Sequence, residues 1–327
     1  MSADALRVAG RMVSFGYFLA SEEYGPDELV RQAKLAEQAG FERLWISDHY
    51  HPWNSEQGNS PFVWSVIGAL SQATDLPVTT AVTCPIMRIH PAVIAQAAAT
   101  ASVQTHGTFR LGVGTGEALN EHVLGDRWPP IGVRLEMLEE AVAIIRALHT
   151  GEQTTHRGKY YTVEEAQLYT TPDQPVPVYV SGFGPQATRL AARLGDGYCT
   201  VTPNKELIDL FRAEGGGDKP VQAGMKVCYG PDAEAAAKTA HRLWGNQLVP
   251  GQLGQILPNP SDFEQATTQV TVDAVAGAMA CGPDKQRYFD TVRSYLDAGV
   301  DELYIQQIGP DQEQFFEFWT EQLAGEF

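Results

Sequence analysis

The sequence predicts an α/β fold, a (β/α)8 TIM barrel with loop insertions, occupying residues 1–327 as one domain. Three observations carry that expectation. Short β-rich apolar runs alternate with longer runs of helical period, the alternation repeats eight times, and no glycine-rich turn follows the first strand. Repeated strand–helix units imply parallel strands joined by crossover helices, and eight of them in one domain favour a closed barrel. An open doubly wound sheet, the alternative, would carry G-x-G-x-x-G after its first strand. Here that strand runs into Ala20-Ser21-Glu22-Glu23, which has no glycine.

The elements follow in order. Residues 12–19 read as a strand. Residues 26–40 read as a helix, because Leu29, Ala33, Leu35, Ala36 and Ala39 fall near the helical period and Gly40 stops it. Residues 43–47 and 78–83 are strands, followed by helices at 61–74 and 91–104; Pro91 suits the first turn of the latter. The strand at 110–113 ends in Gly114-Thr115-Gly116, and an amphipathic helix occupies 133–149. In the second half, strands at 176–180, 197–201 and 224–229 precede helices at 185–194, 205–213 and 232–244. A helix at 283–298, a strand at 302–306 and a helix at 312–323 complete the chain. Two stretches interrupt the pattern. Residues 156–175 read as a β-hairpin insertion. Residues 245–268, rich in Gly, Pro and polar side chains, read as a long loop of the kind that forms a substrate lid.

Composition narrows the function. A hydrophobic fraction of 43% supports a real core, and the formal net charge of −17 argues against nucleic acid or an anionic membrane surface as partner. No apolar run approaches the ~20 residues of a membrane-spanning helix, and residues 1–18 show no signal-peptide pattern. Cys84, Cys199, Cys228 and Cys281 are scattered and form no C-x-x-C pair. They fit reduced thiols in a cytoplasmic protein rather than disulfides or a metal site, and no metal is expected.

In such a barrel the chemistry sits at the C-terminal ends of the strands. The first strand is followed by Ser21, Glu22 and Glu23, the second by Asp48-His49-Tyr50-His51-Pro52-Trp53, the third by Cys84, Pro85 and Arg88. The fourth leads to Gly114-Thr115-Gly116-Glu117 and the fifth to Ser181-Gly182-Phe183-Gly184. A histidine beside an aspartate can serve as a general base, and Trp53 offers a flat apolar wall. A buried histidine satisfied by a backbone carbonyl is the plainer alternative. Glu117 could exchange a proton, or could simply favour a helix N-terminus. Gly182-Phe183-Gly184-Pro185 before a helix could hold a phosphate on backbone N–H groups.

Taken together these segments resemble the deazaflavin-dependent branch of the luciferase-like oxidoreductases, and within it the F420-dependent glucose-6-phosphate dehydrogenase family. The resemblance is carried by Ser47-Asp48-His49-Tyr50-His51-Pro52-Trp53, by His90-Pro91-Ala92-Val93-Ile94-Ala95-Gln96-Ala97, and above all by Val113-Gly114-Thr115-Gly116-Glu117-Ala118-Leu119-Asn120-Glu121. Val176–Val180 leading to Gly182 and Gly184, and Gly195-Asp196-Gly197-Tyr198, also fit, so that nearly the whole chain is covered. The resemblance implies a TIM barrel, usually a homodimer, that binds coenzyme F420 at the strand C-termini and exchanges hydride with a small-molecule substrate. It implies that Asp48 contacts the deazaflavin, that Ala81-Val82 takes the place of a non-prolyl cis peptide under the ring, and that Thr115, Gly116, Ser181, Gly182 and Gly184 bind the cofactor's chain and phosphate. His49 and Trp53 would face the substrate, Glu117 would sit near the ring, and Glu22 would stand at the mouth.

The chain departs from that family where the sugar phosphate is held. A lysine after the D-G-aromatic strand falls on Asn204 without a gap, or on Lys205 with one; a second lysine is replaced by Gln265; an arginine has no counterpart, since 272–279 contains no basic residue. The substrate expected is therefore an alcohol, a free or modified sugar, or a carbonyl compound rather than glucose 6-phosphate. An FMN-dependent luciferase-like monooxygenase is the alternative enzyme, and a non-catalytic ligand-binding barrel the alternative class.

Overall fold

The structure, a computed structural model, describes residues 7–8 and 11–326. The absence of a leader was expected over residues 1–18, which fall partly outside those described. Eight parallel strands form the barrel: β1 (Ser14–Leu19), β2 (Arg43–Ile46), β3 (Val78–Thr80), β4 (Leu111–Val113), β5 (Val178–Ser181), β6 (Gly197–Thr200), β7 (Val221–Cys228) and β8 (Glu302–Gln307). Their hydrogen-bonded order is β3-β2-β1-β8-β7-β6-β5-β4. Bridges from Thr79 to Arg110 and from Thr83 to Val113 join β3 back to β4, which closes the ring and excludes the open sheet.

The principal helices are α1 (Pro26–Gln38), α2 (Val63–Leu70), α3 (Pro91–Gln104), α4 (Ile131–Leu148), α5 (Pro185–Leu194), α6 (Lys205–Phe211), α7 (Ala233–Trp244), α8 (Lys285–Ala298) and α9 (Gln312–Phe318). Their starts follow local chemistry. Pro91 occupies the first turn of α3 behind His90, whose ring nitrogen accepts from the Ala92 amide, and Asp232 caps α7 by accepting from the Ala235 amide. The inward helix faces, such as Ile94, Ala95 and Ala98 of α3 and Leu138, Val142 and Ile145 of α4, join outward-facing strand residues in one continuous core.

The barrel interior is filled rather than hollow. At its base Glu302 accepts from Arg110 at 2.8 Å and lies 3.7 Å from Arg43, and Gln222 donates to it. Burial acts to raise the Glu302 pKa, but the two guanidinium groups outweigh it and hold the carboxyl below its usual range. Above this layer Trp45 stacks on Tyr304 with centroids 4.6 Å apart, and Phe18, Tyr179 and Cys199 fill the rest. The lower end is thereby plugged, which leaves the C-terminal end of the strands as the open end of the barrel. All four cysteines are free and buried, and burial pushes each thiol's pKa up.

Several elements differ from expectation. The third strand stops at Thr80, and the Ala81-Val82 peptide that follows is cis. The seventh begins at Val221, three residues early, because Val221 and Ala223 face the core outside the barrel while Gln222 pairs inside it. The last helix loosens into a wide turn over Trp319–Leu323. Residues 245–268 are not one loop. They contain short helices at Leu253–Ile256 and Pro260–Thr267, and another follows at Val272–Ala278. Each has at most one buried anchor, Phe263 in the second and Val275 in the third, too few to show a period in the sequence. Residues 156–175 contain part of an antiparallel ribbon, Thr154–Arg157 with Thr162–Ala166.

Candidate active site

The loops after β2 and β4 are tied together across the end of β3. Asp48, buried, accepts from the Thr83 hydroxyl and from Arg88, each at 2.8 Å. Arg88 also lies 3.5 Å from Glu121, whose other oxygen accepts the Arg88 backbone N–H. Burial raises the Glu121 pKa to about 7, with Arg88 opposing and the nearby Asp48 and Glu117 charges adding. Asn120 accepts from the amides of Tyr50 and His51, and the His51 ring bonds the Leu119 carbonyl. The A-L-N-E run thus acts as a clasp on the Asp48–Trp53 segment.

That clasp presents His49. Its Nδ1 lies 3.2 Å from the His51 carbonyl, an acceptor only, so that bond needs the hydrogen on Nδ1. Nε2 lies 3.5 Å from Glu22, which itself accepts from the Ser47 hydroxyl at 2.6 Å. Trp53 covers the imidazole at 5.0 Å and meets Phe263 of the 260–267 helix edge-on at 5.0 Å. Glu23, next in the chain, accepts from the Trp244 indole and from the Gly309 amide; burial lifts its pKa to about 7 against those bonds.

Beside this cluster runs a cleft of about 360 Å³ lined by Val82, Gly114, Thr115, Gly116, Glu117, Ser181, Gly182 and Gly184, with Ile131 and Leu135 on one side. Gly116 has φ +66°, and a Cβ there would meet the Cys84 sulfur at 2.5 Å. A Cβ on Gly182 would press on the α5 backbone at 2.9 Å. Gly184 differs: it lines the cleft, and its Cβ would meet nothing within 4 Å. No side chain caps the N-terminus of α5, so its first-turn amides stay available at this cradle. A long ligand with an anionic part fits these features. Glu117 stands at the start of the 118–121 turn without acting as its side-chain cap.

Residues 251–255 also reach this cleft through Gly251, Gln252 and Gln255, while residues 260–267 touch the Trp53 side. Arg134 fastens the former by donating to Gln255 and to the Gly116 carbonyl, with its guanidinium over Trp128. Three expected substrate residues are not brought into the cleft. Asn204 caps α6 by accepting from the Leu207 amide, Lys205 pairs with Asp209 at 2.8 Å, and Gln265 is exposed on its helix. Lys226 and Trp244, which the sequence reading passed over, lie beside the Glu22–Glu23 segment: the buried Trp244 indole donates to Glu23, and its ring lies 4.4 Å from the Lys226 ammonium. The signal for Lys226 was its parity: it continues the inward Gln222, Gly224 series of β7 while Ala223, Met225 and Val227 face the helices. Among the described residues no group of three or more His, Cys, Asp or Glu is arranged to hold a metal ion, and no helix is long and apolar enough to cross a membrane.

Comparison with known proteins places this geometry. The family profile of luciferase-like monooxygenases matches residues 13–302. The chain is 35% identical over 322 residues to an F420-dependent glucose-6-phosphate dehydrogenase of Microbacterium testaceum (strain StLB037), covering 94% of this chain and 96% of that protein. A counterpart with the same description from Beutenbergia cavernae is 35% identical over 325 residues, covering 95% and 96%. Among solved structures, an F420-dependent secondary alcohol dehydrogenase in complex with an F420-acetone adduct superposes with a TM-score of 0.90 at 31% identity, covering 96% of this chain and 98% of that one. The F420-dependent tetrahydromethanopterin reductase of Methanopyrus kandleri, at 22% identity and a TM-score of 0.76, shares the fold.

Proposed function

Because the chain belongs to the luciferase-like family, among its F420-dependent oxidoreductases, we propose that it binds coenzyme F420 in the glycine-lined cleft and interconverts an alcohol and its carbonyl compound, with glucose 6-phosphate not the natural substrate. The observation that carries this is the His49–Glu22 pair under Trp53, one strand away from a cleft whose Gly184 leaves room for a ligand. F420 held there would supply the hydride acceptor in one direction and the hydride donor in the other.

The chain's own residues handle the remaining proton and the geometry. As hydride leaves the carbinol carbon, the hydroxyl proton goes to Nε2 of His49, and the C–O bond gains its second bond. Glu22, 3.5 Å away, then faces an imidazolium rather than a lone pair, so the charge that forms meets a carboxylate already in place. Trp53 and Phe263 keep water from that side. Glu117, on the cleft wall, would hold or supply a proton at the edge of a bound cofactor. Thr115, Gly116, Ser181, Gly182 and Gly184, which line the cleft, would hold the cofactor's chain and phosphate, and Val82 would lie against its ring. Asp48 would contact the deazaflavin, and with its oxygens also accepting from Thr83 and Arg88 it fixes the segment presenting His49.

Loss of the expected phosphate-holding cations supports a substrate with little negative charge. Asn204 and Lys205 are committed to α6, and Gln265 is uncharged. A cytoplasmic homodimer completes the proposal. The test is titration with oxidised F420 beside FMN, followed by an alcohol and sugar panel with and without 6-phosphates. F420 binding and bleaching by an unphosphorylated alcohol supports the proposal. Binding of FMN without F420 overturns it.

A further inference from the structure

Lys226 rises from the inner face of β7, level with Gln306 of β8 in the strand register. Its ammonium lies 4.4 Å from the Trp244 ring centroid and 5.4 Å from that of Phe18. Among the described residues it makes neither a hydrogen bond nor an ion pair within 4 Å. Its neighbouring carboxylates are committed elsewhere. Glu22 serves Ser47 and His49; Glu23 serves Trp244, Gly309 and Gln306. Aromatic faces attract a cation but offer no lone pair for its N–H groups. A half-buried ammonium with three uncommitted donors, within electrostatic reach of the carboxylate that pairs with the proposed base, is a receptor for oxygen.

Resting on the function proposed above, we propose that Lys226 is a substrate-binding residue that receives a second oxygen of the substrate, adjacent to the carbinol served by His49. Preferred substrates are then secondary alcohols with a neighbouring hydroxyl, carbonyl or carboxylate oxygen. Glu22 links the two points, since it touches the His49 ring and is the largest charge acting on Lys226 after burial itself. Burial lowers the ammonium's pKa to about 8, while Glu22 and Glu23 act to raise it, so the cation persists at neutral pH. The same two carboxylates disfavour a dianion, so one neutral or singly charged oxygen group is the fitting partner.

Three probes separate the possibilities: propan-2-ol, propane-1,2-diol and lactate. With F420-loaded wild-type protein, the diol or lactate should exceed propan-2-ol in kcat/KM by at least about tenfold, the scale of one charged hydrogen bond. In Lys226→Met, which keeps the aliphatic stem between Trp244 and Phe18, that preference should collapse to about one, through KM; Lys226→Arg should retain part of it. Equilibrium binding of propane-1,2-diol and lactate, followed by tryptophan fluorescence, should weaken at least about tenfold in Lys226→Met, while binding of propan-2-ol and of F420 is kept. An unchanged preference and unchanged binding in Lys226→Met, or no preference in the wild type, overturns the assignment and means that water alone meets the ammonium. Lys226-dependent binding of a probe without F420-linked turnover of any alcohol would instead overturn the proposed function and leave the binding site standing.

Discussion

Nε2 of His49 stands 3.5 Å from Oε1 of Glu22, and the two residues come from the ends of neighbouring strands, β2 and β1. The pair is built from both sides: Ser47 holds the glutamate, and the His51 carbonyl fixes the tautomer of the histidine. Glu22→Gln keeps the shape and removes the charge that an imidazolium would meet. Alcohol oxidation should fall roughly a hundredfold in kcat, a usual scale for impaired acid–base catalysis. F420 affinity should stay within about twofold, well below one lost hydrogen bond. Stopped-flow reduction of F420 measures the first and fluorescence titration the second; an unchanged kcat would remove Glu22 from the mechanism.

Gly184 separates binding from folding. Its backbone is extended at φ −152°, which any residue adopts, and a side chain there meets open space at the cleft lining. Gly184→Leu should therefore change stability by no more than about 0.5 kcal/mol. F420 binding should weaken by at least about tenfold, the equivalent of a modest steric cost. Normal F420 affinity in this variant would place the cofactor elsewhere.

Arg88 is the cation between two buried carboxylates. Removing it in Arg88→Met leaves Asp48 and Glu121 facing each other without compensation, at a cost of about 3–5 kcal/mol. Arg88→Lys should recover part of that. Urea unfolding reads both, and a loss within the error of the method would show that the clasp carries no energy.

Stability should decline as pH rises. Glu23 and Glu121 are both raised to about 7, so the folded state holds their protons more tightly than the unfolded chain, whose carboxyls titrate near 4.5. The contribution is full below the unfolded value and is lost by the time pH passes 7, on the order of 3 kcal/mol for each group. Melting curves between pH 5 and pH 8 should show it, and Glu121→Gln should flatten them. A slope untouched by that substitution would mean that Glu121 titrates normally.

Glucose 6-phosphate should be a poor substrate. Two expected cations are absent, and Lys205 stands exposed outside the cleft in an (i, i+4) pair with Asp209, so a dianion forgoes the absent contacts, each worth about 1.5–3 kcal/mol. Its kcat/KM should lie at least about a hundredfold below that of the best unphosphorylated alcohol. Efficient turnover would show that another basic group enters the site.

The barrel was legible because its periodicities are local: Leu29, Ala33 and Ala36 mark a helix without knowledge of what they pack on. His49, Trp53 and Glu117 stood out because they cluster in short runs after strands. Lys226 did not, since within Ala223-Gly224-Met225-Lys226-Val227 it reads as one charged residue in a strand, and its neighbours Phe18 and Trp244 arrive from distant positions. Arg88 was noticed after β3, but its partners Asp48 and Glu121 lie 40 and 33 residues away, a pairing no spacing rule announces. Residues 245–268 misled for the opposite reason: their Gly and Pro content hides helices of one or two turns held by single anchors.

The four sealed thiols amount to a clock. Each sulfur lies under packed side chains and is kept in its unreactive protonated form, so a thiol-reactive dye can reach it only when the surrounding structure parts. Cys84 sits against Gly116 on the cleft side, Cys199 inside the barrel, and Cys228 beside Cys281 where a short strand joins β7. Their separate labelling rates therefore time the opening of three different regions of one molecule, and a ligand seated in the cleft should slow the first before the others.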